Sequence, residues 1–193
     1  MIDDAKPILF TNEMVEALLS GRKTETRRMA GLDPVNSGFA YDWKFTLLAL
    51  QTKIKDWEEG KPWQLGADFE SRNGEITTTC NYPYGRIGSK LWVKETYAKL
   101  PTGLVYRADK DIPKFMRDWN WKGGIYMPRA CSRITLEIVG VRVEQLMDIT
   151  EEGANAEGFD SKLDFMILWD RINRKKKMLN NNPWVWATQF KIV

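Results

Sequence analysis

The sequence predicts an α+β domain in which mixed strands curve into a small barrel closed by peripheral helices. Three observations predict it. The strongest strand pattern is Arg133–Glu144, where Ile134, Leu136 and Ile138 point one way and Arg133, Thr135 and Glu137 the other. Segments with helical spacing flank such strands instead of alternating regularly with them. The 193 residues, 43% apolar and 28% charged, suffice for one substantial core and match a soluble globular chain.

Taken in order, Pro7–Phe10 reads as a short strand. Thr11 or Asn12 caps a helix whose Met14, Val15, Leu18 and Leu19 form one apolar face, and Gly21 ends it. Residues 30–40 hold Gly31, Pro34, Asn36, Ser37 and Gly38, a loop composition. Leu47, Leu50, Ile54 and Trp57 are spaced as a second amphipathic helix, and Lys61–Asn73 is irregular. The region of about 30–73 is therefore expected to be an insertion packed outside the barrel of a single domain spanning 1–193.

From Gly74 the period changes to that of strands, at Glu75–Cys80, Lys90–Tyr97, Leu104–Arg107 and Gly124–Met127. Trp119 and Trp121 anchor the loop before the last of these. Within the long strand, Gly140 marks a bulge or bend. Thr150 caps a short helix with Glu151 and Glu152 in its first turn, ending near Gly158, and Ser161 opens another. Its apolar stripe runs through Leu163, Met166 and Trp169, or through Phe165, Trp169 and Ile172. The last strand, from Pro183 to Val193, is tied into the sheet.

Composition excludes some chemistry. The chain has no histidine, so Ser-His-Asp and Cys-His nucleophiles and His-ligated metals are ruled out. Cys80 and Cys131 lie far apart without metal-ligand neighbours, and read as packed reduced thiols of a cytoplasmic protein. No cofactor or metal is expected. No apolar run approaches membrane-spanning length, so no membrane partner is expected either. The net charge of +3 permits a nucleic-acid partner without requiring one.

One stretch stands out: Gly21-Arg22-Lys23-Thr24-Glu25-Thr26-Arg27-Arg28 packs four cations, two hydroxyls and a carboxylate into eight residues. Its bland reading is a solvated basic helix end, favoured by the macrodipole. Its functional reading is a loop presenting these groups to a ligand.

This run after an N-terminal helix resembles the signature of ASCH domains, members of the PUA-like superfamily. Later segments resemble the phage- and prophage-encoded branch of that family. They include Leu91-Trp-Val-Lys-Glu95, Met127-Pro-Arg129, Ser132-Arg-Ile-Thr-Leu-Glu137, Asp148-Ile-Thr-Glu-Glu152, Asn155-Ala-Glu157-Gly158 and Asn182-Pro-Trp-Val-Trp186. The chain departs from many relatives at Ser89, Tyr126 and Ala130. The resemblance implies a PUA-like small mixed β-barrel with flanking helices and a cleft beside the first helix. It also implies a modified nucleoside or RNA as partner, in the host cytoplasm if the chain is phage-encoded.

One bacterial ASCH enzyme removes the acetyl group of N4-acetylcytidine using a Lys, a Thr and a Glu. The resemblance places these roles on Lys23, Thr26 and Glu157, with Arg28 matching as well. Thr26 then attacks, neutral Lys23 takes its proton, and Glu157 protonates the leaving nitrogen. Neighbouring Arg22, Arg27 and Arg28, together with burial, would depress the lysine pKa. Lys23, Arg27, Arg28, Glu95, Arg129 and Glu157 are expected to line one cleft with Trp92 or Tyr126 stacking on a base. Against this, Arg129 reads equally as a strand-end arginine paired for structure. A non-catalytic RNA-binding module, an ASCH-type ribonuclease and a phage accessory or morphogenesis protein are the other readings.

Overall fold

The structure, a computed structural model, describes residues 5–36, 43–51, 64–112, 116, 119–173 and 182–193. Among them ten strands form three sheets: a five-stranded sheet in the order β1-β6-β9-β10-β2, a three-stranded sheet β3-β4-β5, and the hairpin β7-β8. The strands are β1 (Lys6–Leu9), β2 (Glu25–Arg28), β3 (Trp43–Gln51), β4 (Gln64–Ser71) and β5 (Thr77–Asn81). The chain continues with β6 (Lys90–Lys94), β7 (Tyr97–Leu100), β8 (Gly103–Tyr106), β9 (Thr135–Gln145) and β10 (Trp184–Ile192). Helices α1 (Asn12–Leu19), α2 (Asp33–Asn36), α3 (Glu151–Ala156) and α4 (Lys162–Asn173) accompany them. The domain is mixed α+β, and the strand pairing among the described residues leaves three open sheets where one closed barrel was expected.

The five-stranded sheet carries the site. β1 runs parallel to β6, whereas β6-β9, β9-β10 and β10-β2 are antiparallel. β10, read from sequence as a terminal strand, lies between β9 and β2, with Val185–Thr188 and Phe190 buried. The pairing of β9 with β10 shifts register between Gln189 and Phe190, opposite Gly140 and Ile138, so Val139 is the extra residue. Gly140 allows this approach: a Cβ there would lie 2.6 Å from the Gln189 side chain.

The core joins two sheets. Ile8, Leu91, Leu136, Ile138, Trp186 and Phe190 of the large sheet share one buried cluster with Leu65, Ala67, Phe69 and Cys80 of the small one. Residues 43–51 and 64–71, expected as helix and irregular chain, are instead the strands β3 and β4, and β4 fills the shared core. The remainder of the expected helix lies outside the described residues. Gly124–Tyr126, expected as a strand, is a single 3-10 turn.

Local chemistry sets the helix ends. Thr11 Oγ1 accepts from the Met14 N–H at 3.3 Å, and Thr150 Oγ1 from the Gly153 N–H at 3.1 Å. Gly21 takes φ +78° after α1, and the Arg22 N–H returns to the Ala17 carbonyl at 2.9 Å. Gly158 closes α3 at φ +93°, where an added Cβ would lie 2.6 Å from Ala17 Cβ and 3.3 Å from Lys23 Cβ. Only glycine lets the end of α3 sit this close to the end of α1. Cys80 and Cys131 are both unpaired, and burial pushes the Cys80 thiol up to about 11. No described helix is long and apolar enough to cross a membrane.

Candidate functional site

The basic run divides in two: Gly21–Thr24 is a turn and irregular chain with Arg22 exposed, and the rest is largely buried strand. Glu25–Arg28 is the edge strand β2, paired with β10 from Gln189↔Glu25 to Trp186↔Arg28. Glu25, Thr26 and Arg27 are buried, and so is Lys23 just before the strand. Alternation sends Glu25 and Arg27 to one face of β2, and Thr26 and Arg28 to the other.

Buried charge must be compensated, and here each group has a partner from a distant segment. Lys23 Nζ donates to Glu157 Oε2 at 2.5 Å, to the Glu157 carbonyl at 2.9 Å and to the Glu25 carbonyl at 2.9 Å. The other carboxylate oxygen of Glu157 accepts from the Arg27 backbone N–H at 2.5 Å. Burial lowers the Lys23 pKa from 10.5 to about 8, opposed by Glu157 and assisted by Arg28 and Arg27. Glu157 reaches this position because α3 ends on it and Gly158 turns the chain away. The Thr24 N–H ties the two segments together through the Ala156 carbonyl at 2.8 Å.

Arg27 is wholly buried among carboxylates. Its Nε donates to Glu144 Oε1 at 2.6 Å, and its Nη2 lies 2.9 Å from Glu25 Oε1, out of line for a hydrogen bond. Arg142 closes the array with a bidentate pair to Glu25 and a 2.7 Å bond to Glu144. Burial opposes ionisation of Glu25, but Arg142 and Arg27 outweigh it and hold this carboxyl below its usual range. Glu25 was noted in the basic run but given no role, and Glu144 and Arg142 were not singled out in the sequence. Only the alternation of acidic and basic residues along β9, opposite a basic strand, hints at them.

On the opposite face, Arg28 Nη1 donates to Thr26 Oγ1 and to the Arg27 carbonyl, each at 2.7 Å, and Nη2 to the Leu9 carbonyl at 3.0 Å. The Phe10 ring lies under both cations, 5.2 Å from Lys23 Nζ and 5.5 Å from the Arg28 guanidinium.

A cavity of about 590 Å³ opens against these groups. Arg27, Arg28 and Glu157 give it charge, Thr11, Thr96 and Asn173 give it neutral polar groups, and Phe10, Phe165 and Trp169 are among its apolar walls. Its size and mostly apolar lining with few polar groups fit a small-molecule site. Among the described residues the Trp169 indole N–H in this wall is buried without an acceptor.

The other sequence candidates stand elsewhere. Arg22 is exposed and 3.6 Å from the exposed Asp160. The Glu95 carboxylate is buried in a bidentate pair with Arg133, 3.0 Å at both oxygens, and Arg133 also binds Asp109 at 2.6 Å. Burial raises the Glu95 pKa against the pull of Arg133. The Arg129 guanidinium lies 5.9 Å from the Trp92 ring centre, beside Lys94 at 5.6 Å, and Tyr126 is 78% exposed. The expected single cleft thus resolves into one joined set, Lys23, Thr26, Arg27, Arg28 and Glu157, with Trp92, Glu95, Tyr126 and Arg129 in other surroundings. Among the described residues no three His, Cys, Asp or Glu side chains converge as a metal site would need.

Comparison with family models, curated proteins and solved structures finds no match for the chain.

Proposed function

We propose that the chain is an ASCH-type, PUA-like domain that binds a nucleoside-sized ligand in the cavity and hydrolyses an N4-acyl amide of the cytidine type. The observation that carries this reading is the buried Lys23–Glu157 pair, whose carboxylate forms part of the cavity wall and accepts from the N–H of Arg27, the residue after Thr26. A lysine titrating near 8 is a competent base close to neutral pH, and no histidine competes for that role.

Arg28 donates to Thr26 Oγ1, which stabilises negative charge developing on that oxygen and leaves its own proton to be given away. Thr26 attacks the acyl carbon as its proton passes to neutral Lys23. Lys23 passes a proton to Glu157 along their hydrogen bond, and Glu157 delivers it to the departing nitrogen as the C–N bond breaks. Water then cleaves the threonyl ester, giving one proton back to Thr26 through Lys23 and releasing the acid.

A non-catalytic nucleoside binder is the second reading. It is favoured by the Lys23 ammonium having all three hydrogens already matched to oxygen acceptors. An RNA-tracking groove is less favoured, because Arg22, Arg27 and Arg129 do not share a face.

Incubation with N4-acetylcytidine in chelator, following cytidine release, separates the two. Release that is lost in Lys23→Met, Thr26→Ala and Glu157→Gln supports the hydrolase. Saturable cytidine binding without release supports the binder, and neither binding nor release removes both.

A further inference from the structure

Charge around the site does not balance. With Lys23 protonated, Lys23, Arg27, Arg28 and Arg142 supply four positive charges, and Glu25, Glu144 and Glu157 supply three negative ones. Every carboxylate in this array is engaged by Lys23, Arg27 or Arg142. Arg28 is the cation left over: among the described residues its partners are one hydroxyl and two carbonyls, with no carboxylate.

A guanidinium has five N–H donors. Arg28 uses both hydrogens of Nη1 and one of Nη2, which leaves the Nε–H and one Nη2–H without an acceptor among the described residues. Nε and Nη2 form one edge of the guanidinium fork, the edge that meets a carboxylate or phosphate with two parallel bonds. Arg28 lines the cavity, where the remaining charged side chains are Arg27 and Glu157, both already paired. A partly desolvated cation beside apolar walls attracts an anion far more strongly than one on open surface does.

From this we infer that the cavity's ligand is anionic: a molecule with an aromatic or apolar body against Phe10, Phe165 and Trp169, and a carboxylate or phosphate seated on Arg28. This deepens the proposed function, resting on the same cavity, and changes its substrate class from a neutral nucleoside to an acidic one. Arg28 serves here as a specificity-determining residue, holding the anion with one edge and Thr26 with the other.

Two matched pairs of probes test it by calorimetric titration of the full chain: cytidine against cytidine 5′-monophosphate, and naphthalene-1-methanol against 1-naphthoate. The expected result is at least a tenfold preference for the anion in one pair or both, and the pair that shows it distinguishes phosphate from carboxylate. In Arg28→Gln the ratio should fall towards one. Asn173→Asp, which adds a negative charge to the same wall with little change of shape, should reduce it too and serves if Arg28→Gln does not fold. Equal affinity within both pairs, or a preference that persists in the folded variants, overturns the inference. Cytidine binding without anion preference leaves the nucleoside reading standing. An Arg28-dependent preference for naphthoate with no binding of either cytidine probe leaves the anion site standing and removes the nucleoside. Absence of all binding removes both.

Discussion

Lys23 and Glu157, 134 positions apart in sequence, meet through a 2.5 Å hydrogen bond with both side chains almost completely buried. The pair joins the end of α1 to the end of α3, and Glu157 of the pair lines the cavity. Breaking such a pair is costly because it strands a charge, whereas removing both charges together is not. Glu157→Gln or Lys23→Met alone is expected to destabilise the fold by about 3–5 kcal/mol in urea titration. The double variant Lys23→Met/Glu157→Leu should recover most of that loss. Additive losses in the double variant would show that the two do not act as a pair.

The depressed Lys23 pKa fixes a sign for the pH dependence. Between about 8 and 10.5 the unfolded chain holds a proton on this lysine that the folded chain has released. Stability from this group therefore rises with pH across that window and is level below it. Difference unfolding curves of wild type minus Lys23→Met, taken at intervals over that range, should slope upward. A flat or falling difference would contradict the assignment.

Gly158 holds a left-handed conformation and tolerates no Cβ, which would meet Ala17 Cβ at 2.6 Å. Gly158→Ala is expected to lower stability by about 1–3 kcal/mol. It should also reduce cytidine-type binding, since α3 carries Glu157. Gly103, also at positive φ but with nothing within 4 Å of its Cβ, is the control, and Gly103→Ala should cost less. Equal losses would place the effect in φ alone.

Glu95 belongs to a separate ion-pair cluster with Arg133 and Asp109. Glu95→Gln should destabilise the fold by about 1–3 kcal/mol through the weakened charge-assisted bonds. It should leave the pH profile of any cytidine release unchanged, because Lys23 does not touch this cluster. A shifted profile would join the two clusters functionally.

What the sequence made legible was local. Thr11, Thr150 and Gly21 act through neighbours within a few residues, and each end falls where capping chemistry places it. The Lys23, Thr26 and Glu157 set came from resemblance alone; of the three, Lys23 and Glu157 are in direct contact, while the Thr26 hydroxyl is held by Arg28. The burial of the basic run was not legible, since it depends on Glu144 and Glu157, more than a hundred positions away. β3 misled for a different reason. The helical reading started from Leu47, which is 52% exposed. A register shift between Phe45 and Leu47 leaves Thr46 as an extra residue, and Trp43, Phe45 and Leu48 are the side chains packed on the core, a pattern that strict alternation does not reveal. Glu95 and Arg129 carry the same charges as the site residues, and only the tertiary pairing of Glu95 with Arg133, and the placing of Arg129 against Trp92, separates them.

The central claim is that Thr26 is the nucleophile beside the Lys23–Glu157 pair. Its most direct test is a single-turnover reaction with N4-acetylcytidine, quenched in acid and read by peptide mass spectrometry. The expected result is one acetyl group on the peptide containing Thr26, absent in Thr26→Ala, and forming faster as pH rises towards about 8. Cytidine release by a folded Thr26→Ala at the wild-type rate, with no acetylated peptide in either protein, would contradict it.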